Sequence, residues 1–433
     1  MAKAPIDMVR RTKHAPDHPA RLEPLRSAPF RRYLTASLVS NTGTWMQLVT
    51  IPFVVDELTH STTWVGIAAF CTMFPMVPLA LIAGTWADRH PRRTIVLAGQ
   101  LLMLAPALAL LTQSATGTLG AATVLLWVSI YAAGNGIVNS SNAPFIAQIV
   151  EPRGYMAALR LYLTQLYAAR AVGPAIAGVV LASSGPTAAF ALNALSFAPL
   201  FLVLLRMPRR VRPGGGEHGA WRLMRATVRM AGADPGIRLG LLMMIGLGFL
   251  GVSMTQLVEP FTRHVLHRTA GEYGLVVTSY GIGALVGAML HVACGDRMAP
   301  SRLAAAGMVG ASASIAAVGV GPYAVAVPAL FVFGVASVIA TISLLLVCQS
   351  KTEDAHRGRI VGLSNAGFNG AIPLGALLGG IVADAIGLRT VLVADAVVGV
   401  GALTLVAAVG AGLRPLDDRE IARPARPTCA SGT

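Results

Sequence analysis

Apolar residues run along the chain in blocks of about twenty, not at the spacing of a surface helix or the alternation of a half-buried strand. The blocks fall near 33–55, 64–86, 94–113, 119–141, 158–183 and 187–205, then near 239–261, 273–294, 302–320, 323–348, 360–384 and 389–411. Each is long enough to cross the hydrocarbon core of a bilayer as a helix. Gly and Pro inside several blocks are tolerated there, because neighbouring helices satisfy the freed backbone groups. A basic Pro/Gly stretch, 206–238, separates two sets of six blocks. The pattern predicts an all-α integral membrane protein with 12 transmembrane helices in two six-helix bundles. The expected divisions are an N-terminal segment 1–32, a first bundle 33–205, a linker 206–238, a second bundle 239–411 and a tail 412–433.

Composition narrows the class further. Of 433 residues, 55% are hydrophobic and 12% charged, with a mean hydropathy of +0.65. Soluble domains carry roughly twice that charge, so a soluble enzyme, a disordered chain and a disulfide scaffold are excluded. The net charge of +15 would suggest nucleic acid in a soluble protein. Here the basic residues sit between the apolar blocks. With the N-terminus inside, 29 of the 34 Lys and Arg fall on inside segments, three (Arg263, Arg268, Arg389) fall outside, and Arg160 and Arg170 lie within a span. By the positive-inside rule both termini are expected in the cytoplasm, in a bacterial inner membrane. No nucleic-acid partner is expected. Residues 1–32 are polar and basic, so no cleavable signal is expected either. The four cysteines have no metal-binding spacing.

The halves repeat each other at an offset near 208, then 202. Gln47-Leu48-Val49 precedes Pro52-Phe53 as Gln256-Leu257-Val258 precedes Pro260-Phe261. Both prolines stand 14 residues before a glycine, Gly66 and Gly274. Asp88-Arg89 ends the second span as Asp296-Arg297 ends the eighth, and Arg153-Gly154 recurs as Arg357-Gly358. Gly173, Gly178 and Gly185 recur as Gly375, Gly380 and Gly387, and Asn193 matches Asp395. Six spans intervene, so the halves run the same way through the membrane. That is a pseudo-two-fold repeat about the membrane normal, an arrangement in which the halves rock around a central site.

Three groups of residues carry candidate chemistry. The loop Gly84-Thr85-Trp86-Ala87-Asp88-Arg89-His90-Pro91-Arg92-Arg93 puts a carboxylate at a helix end beside three arginines. Such a group can latch one conformation by ion pairing and by facing a helix N-terminus; the plain alternative is a positive-inside loop. The fifth span reads Arg170-Ala171-Val172-Gly173-Pro174-Ala175-Ile176-Ala177-Gly178. Its small residues allow close helix approach, and Gly-Pro favours a bend. Arg170 lies about twelve residues into the span, where an arginine is costly and faces a cavity or a partner unless it snorkels to the interface. Polar stripes form the third group: Asn41, Thr44, Trp45 and Gln47 in the first span, and Trp127, Tyr131, Asn135, Asn139 and Asn142 in the fourth. Gln256 and Asn369 are candidates in the second half. As a set they suggest an aqueous or substrate-facing cavity; singly, each reads equally well as an interhelical hydrogen bond.

Deep carboxylates are few. Asp56, Glu57, Glu259 and Asp384 lie at outer span ends, and Asp395 a turn or two inside the last span. Each can exchange protons, and each also reads as an ordinary interfacial charge. Enzyme signatures are absent: no lysine completes a phosphate-binding loop, and no zinc-protease or serine-hydrolase motif occurs. Gly246, Gly248 and Gly251 fit a dinucleotide spacing but sit inside an apolar span, where they read as packing. No enzyme activity, cofactor or metal is expected.

The loop Gly84–Arg93 resembles the G-x-x-x-D-R-x-G-R-R/K signature of the major facilitator superfamily, with Pro91 in place of the usual glycine and a degenerate copy at Asp296-Arg297. The Gly173-Pro174…Gly178 element resembles the G-P-x-x-x-G motif of its antiporters. Leu25-Arg26, Phe30-Arg31, Ser40-Asn41-Thr42-Gly43-Thr44-Trp45-Met46-Gln47, Glu57-Leu58-Thr59 and Arg357-Gly358-Arg359 resemble the branch that holds enterobactin exporters and macrolide-efflux-type proteins. The resemblance implies proton-driven export of a small amphipathic molecule, such as a drug, antibiotic or siderophore, by a monomer in the lipid bilayer. It implies a gating role for Asp88, Arg89, Arg92 and Arg93. An importer on the same fold, a channel and a non-transporting sensor stay open as alternatives.

Overall fold

The computed structural model describes residues 23–76, 78–79, 91–207, 220–294 and 298–408. With no water in the hydrocarbon core, a spanning backbone must satisfy its own hydrogen bonds. Among the described residues there is accordingly no strand.

The first bundle comprises α1 (Ala28–Thr59), α2 (Thr62–Met73), α3 (Arg92–Thr116), α4 (Ala121–Ile149) and α5 (Tyr155–Arg206). At 52 residues α5 is too long for one crossing. It breaks at Gly185, whose φ of 75° and ψ of −177° reverse the chain, so its two limbs are the fifth and sixth spans. A helix of 14 residues, α6 (Ala220–Ala233), then lies within the stretch that the sequence suggested only as a basic linker. The second bundle comprises α7 (Pro235–Val265), α8 (Ala270–Cys294), α9 (Pro300–Val320), α10 (Tyr323–Ser350), α11 (Asp354–Ile386) and α12 (Leu388–Ala408).

By length and hydropathy alone, eight described segments can cross a membrane, α5 counted once. The remaining passes are α1, α2 and α12. The first is polar at many positions along its length, and the other two run into residues that are not described. Helices extend beyond the apolar blocks because helical hydrogen bonding continues past the hydrocarbon: α1 starts at Ala28 and α4 ends at Ile149. α7 is irregular where its counterpart α1 is regular, with π turns at Leu247–Val252 and Phe261–Val265 and a tight 3-10 turn at Thr255–Leu257. Five residues separate Gln47 from Pro52 but four separate Gln256 from Pro260. Local changes of pitch of this kind absorb a one-residue shift in register.

The repeated glycines do matched work in the two halves. A Cβ at Gly173 would lie 2.5 Å from the Trp45 Cβ of α1, and one at Gly375 would strike the Phe249 carbonyl of α7, so each seats its helix on the first helix of its own bundle. Gly178 packs on Gly274, where an added Cβ would be 2.8 Å from the Gly274 Cα; Gly66 packs on Gly380 and its neighbour Ala376, with 2.7 Å to the Ala376 carbonyl. Gly178 and Gly380 are repeat partners, as are Gly66 and Gly274. The α5–α8 and α2–α11 contacts are therefore two copies of one interface, related by the pseudo-two-fold axis. Gly185 and Gly387, the third pair, both have positive φ, 75° and 86°, and turn the chain at the same end.

Candidate functional site

Every cross-bundle hydrogen bond and ion pair among the described residues involves α1, α2 or α5 on one side and α7, α8 or α11 on the other. All but one lie at the end where α1 turns into α2, α7 into α8 and α11 into α12. The bundles are clasped there, at the end opposite the start of α1.

At the α2–α11 interface the clasp is a carboxylate. Asp384 accepts from the backbone N–H of Thr62 and Thr63 at 2.9 and 3.0 Å, and from the hydroxyls of Thr62 and Ser61 at 2.5 and 2.7 Å. It caps the start of a helix that belongs to the other bundle. The orphan N–H groups and helix dipole favour an anion there. At the α5–α8 interface the matching helix start is capped from within: Glu272 accepts from the Thr269 N–H at 2.9 Å and hydroxyl at 3.0 Å. That leaves Ala182, the counterpart of Asp384, only a van der Waals neighbour of Gly271.

The α5–α8 interface carries its polar device deeper. Arg170 lies eight residues from Gly178, roughly 12 Å farther along the helix at 1.5 Å per residue. Its guanidinium donates to the Tyr280 hydroxyl at 2.6 Å and stacks over the rings of Trp45 at 5.1 Å and Tyr280 at 4.9 Å. Cation–π contacts of this length stabilise a desolvated arginine by about 1–2 kcal/mol. The Nε is buried and makes no hydrogen bond. Among the described residues no carboxylate lies in ion-pair range of Arg170, so its partners there are aromatic and hydroxyl groups.

The polar stripes divide. Thr44, Gln47 and Tyr131 are buried, 9%, 2% and 2% exposed, and bonded inside the first bundle. Tyr131 donates to Thr44 at 2.8 Å, and Asn193 donates to Gln47. Asn142, also buried, accepts from Tyr33 at 2.8 Å and donates to Tyr162 at 2.6 Å. These residues hold helices together. Trp127 packs against the core, its Nε1 buried without an acceptor. Asn41, Trp45, Asn135, Gln256 and Asn369 are half-buried and Asn139 is exposed. Asn41 donates to Ser37 and Gln165, Asn139 to Asn135, and Asn369 to the Asn365 carbonyl. Asn135 and Asn139 also lie 3.8 and 3.6 Å from the Met76 sulfur. The structure thus joins Trp45 to Arg170 and Asn135 to Asn139, but brings Gln256 and Asn369 to neither pair.

Of the gating loop, Gly84, Asp88, Arg89, Asp296 and Arg297 lie outside the described residues. Arg92 opens α3. Arg93 donates to the carbonyls of Leu204 and Leu205 at 2.6 and 2.7 Å, tying the start of α3 to the last turn of α5. Pro174 lies within α5, whose one non-helical residue is Gly185, so the helix runs unbroken through Gly173-Pro174.

Tyr280 and Gln165 escaped the sequence reading because a lone polar residue in a glycine-rich span looks like packing until its partner, 110 or 124 residues away, is known. A further feature is an apolar cavity of about 190 Å³ between α7, α9 and α12, lined by Leu242, Leu250, Met308 and Ile315, with Asp395 on its wall.

The described helices form two halves joined by paired glycine interfaces, the architecture of a multi-pass integral membrane protein, and its family match and relatives place the chain among the major facilitator superfamily transporters. Within that class the chain belongs to the transmembrane secretion effector family, whose model matches residues 20–425. Its relatives include the enterobactin exporter EntS of Citrobacter koseri, 25% identical over 81% of this chain and 85% of that protein. EntS of Escherichia coli is 24% identical over the same shares. Among solved structures, the fold resembles the nucleoside transporter NupG, with a TM-score of 0.71 at 14% identity over 88% of this chain and 99% of that one. It also resembles an inward-facing bacterial homologue of the human lysosomal transporter Spinster, with a TM-score of 0.70 at 15% identity over 93% and 100%.

Proposed function

We propose that the protein is a proton-driven exporter of a small amphipathic molecule, a siderophore or antibiotic among them, working by alternating access. The observation that carries the reading is that, among the described residues, the clasp lies at one end. Two copies of one glycine interface join the halves, and each copy is reinforced by a breakable polar contact. Such a joint favours two rocked states over a fixed pore. The arginine distribution supports a clasped end at the outer face and cytoplasmic termini, which makes this arrangement the inward-facing one. Export is supported by the enterobactin exporters among the relatives. Arg170, flanked by Trp45 and Tyr280, is suited to an anionic, aromatic substrate group. Asp88 with Arg89 and Arg92 acts at the opposite end as the latch of the outward-facing state. Import is the second reading, favoured by the likeness of fold to a D-xylose–proton symporter, with a TM-score of 0.70.

The test is efflux of enterobactin and a panel of fluorescent dyes from cells expressing the chain, with and without a protonophore, beside Asp88→Asn. Export that the protonophore and the substitution both abolish upholds the reading. Accumulation driven by the proton gradient supports import instead.

A further inference from the structure

Asp56 of α1 and His264 of α7 occupy the same position of the two halves. Each stands three residues after the Phe of the repeated Pro-Phe pair, and 208 residues separate them. They also touch: the His264 Nε2 lies 2.8 Å from both carboxylate oxygens of Asp56. Two equivalent positions of a two-fold structure can meet only at the axis. This contact therefore lies on the axis of the rocking motion, at the clasped end, and opening that end must part it.

Beside it lies an unbalanced group of charges. Glu259 is 0% exposed, and neither of its carboxylate oxygens makes a hydrogen bond. Among the described residues Arg263 is its one ion-pair partner, at 3.7 Å, and is shared with Asp56 at 3.6 Å and Glu57 at 3.9 Å. The Arg263 guanidinium also stacks on the Phe53 ring at 4.6 Å. Other groups complete the surroundings. His60, just after α1, has its ring 6.4 Å from that of His264, and Tyr273 of α8 is buried. On α11, Asp384 is held by α2; on α12, Arg389 donates to the carbonyls of Gly319 and Val320, and Asp395 lines the separate cavity. Glu57, 46% exposed, has its charge screened by solvent. Two buried carboxylates then face one permanent cation. Burying an uncompensated charge is costly, so the closed arrangement is one proton short of balance. His264, 44% exposed, covers the pair from the outside and offers the way in.

We propose that Glu259, with the Asp56–His264 pair and Arg263, is a proton-binding site whose occupancy holds the outer clasp shut. Closing the outer end takes up one proton from the outer face; opening it returns that proton to the same face. No bond other than that to the proton is made or broken. For an exporter, loading from outside after substrate release favours the return to the inward-facing state, without itself carrying a proton across the membrane. The proposal rests on the alternating-access reading but not on the direction of transport.

Linkage sets the sign. The closed state binds more protons than the open one, so acid favours closure and alkali favours opening, by up to about tenfold in the ratio per pH unit for one proton. Ser183 and Ala385 are exposed, lie in equivalent turns of the two halves, and are absent from the cluster. Spin labels on Ser183→Cys and Ala385→Cys, in purified full-length protein free of its four native cysteines, read the outer separation between pH 5.5 and 8.5. The wild-type background should shift from the short to the long distance as pH rises. Glu259→Gln, neutral at every pH, should stay at the short distance throughout. Asp56→Asn serves as a second variant should Glu259→Gln fold poorly, and should flatten the titration likewise. A wild-type distance independent of pH, or variants that titrate as the wild type does, would overturn the proposal. Protonophore-sensitive efflux retained by Glu259→Gln would also overturn it while leaving the exporter reading intact. A titrating clasp in a protein that moves substrate inward would uphold the proposal and remove the exporter reading instead.

Discussion

The α2–α11 and α5–α8 interfaces are copies of one contact, yet they are held differently. Both rest on a glycine pair with no room for a Cβ. Beyond that the resemblance ends. The first is fastened at the rim by Asp384 capping a helix of the other bundle. The second leaves its rim to packing and places a stacked arginine deeper. The glycines are constrained by backbone approach, which a two-fold repeat imposes equally on both copies. Polar groups are constrained by what the molecule must bind or release, and that need not be symmetrical. On the proposed function, the α2–α11 contact fastens the clasp at its rim, and the α5–α8 contact also senses whatever occupies the centre.

Substitutions can break or sharpen this contrast. The largest effects should be symmetrical. Gly178→Leu and Gly380→Leu both place a side chain against backbone at under 3 Å, which nothing flexible can relieve, so both should abolish transport and hold the outer end open. Unequal losses in efflux or in label distance would mean that the copies do not bear the clasp equally. Next, Tyr280→Phe removes one charge-assisted hydrogen bond of roughly 2 kcal/mol, about thirtyfold in the open-to-closed ratio. Arg170→Lys should do at least as much, since an ammonium cannot stack as the guanidinium does. Asp384→Asn should shift the ratio roughly threefold, because its site is exposed and screened. The smallest effect should come from Ala182→Asp, which grafts the rim carboxylate onto the other interface. Glu272 already holds the helix start there, so the graft should matter only in a Glu272→Ala background. Each shift is read from the distance between labels at Ser183 and Ala385.

The sequence made the helices legible because a bilayer demands long apolar runs. It made the glycine pairs legible because the repeat preserves them: Gly66 with Gly274, and Gly178 with Gly380, were visible as matches before their contacts were known. Contacts that join the halves through unlike residues were not legible. Asp384 reads as an interfacial charge until Ser61 and Thr62, more than 300 residues away, are brought beside it. Asp56 and His264 hold equivalent positions but differ in chemistry, so a search for identical residues passes over them. The polar stripes were legible only as polarity. Thr44, Gln47 and Tyr131 bond within their bundle, whereas Trp45 turns to Arg170, and helical periodicity cannot separate those outcomes when both faces of α1 meet protein. The helix α6 was hidden by basic composition, and the irregular pitch of α7 by the single residue that displaces its register.

Transport by alternating access requires the clasped end to open. Thr62 and Asp384 touch across the bundles, with 2.5 Å between side-chain oxygens. Thr62→Cys with Asp384→Cys, in a chain without its native cysteines, would allow that contact to be locked by oxidation and released by reductant. Efflux that stops on oxidation and returns on reduction is the predicted result. Undiminished efflux from fully cross-linked protein would contradict the account.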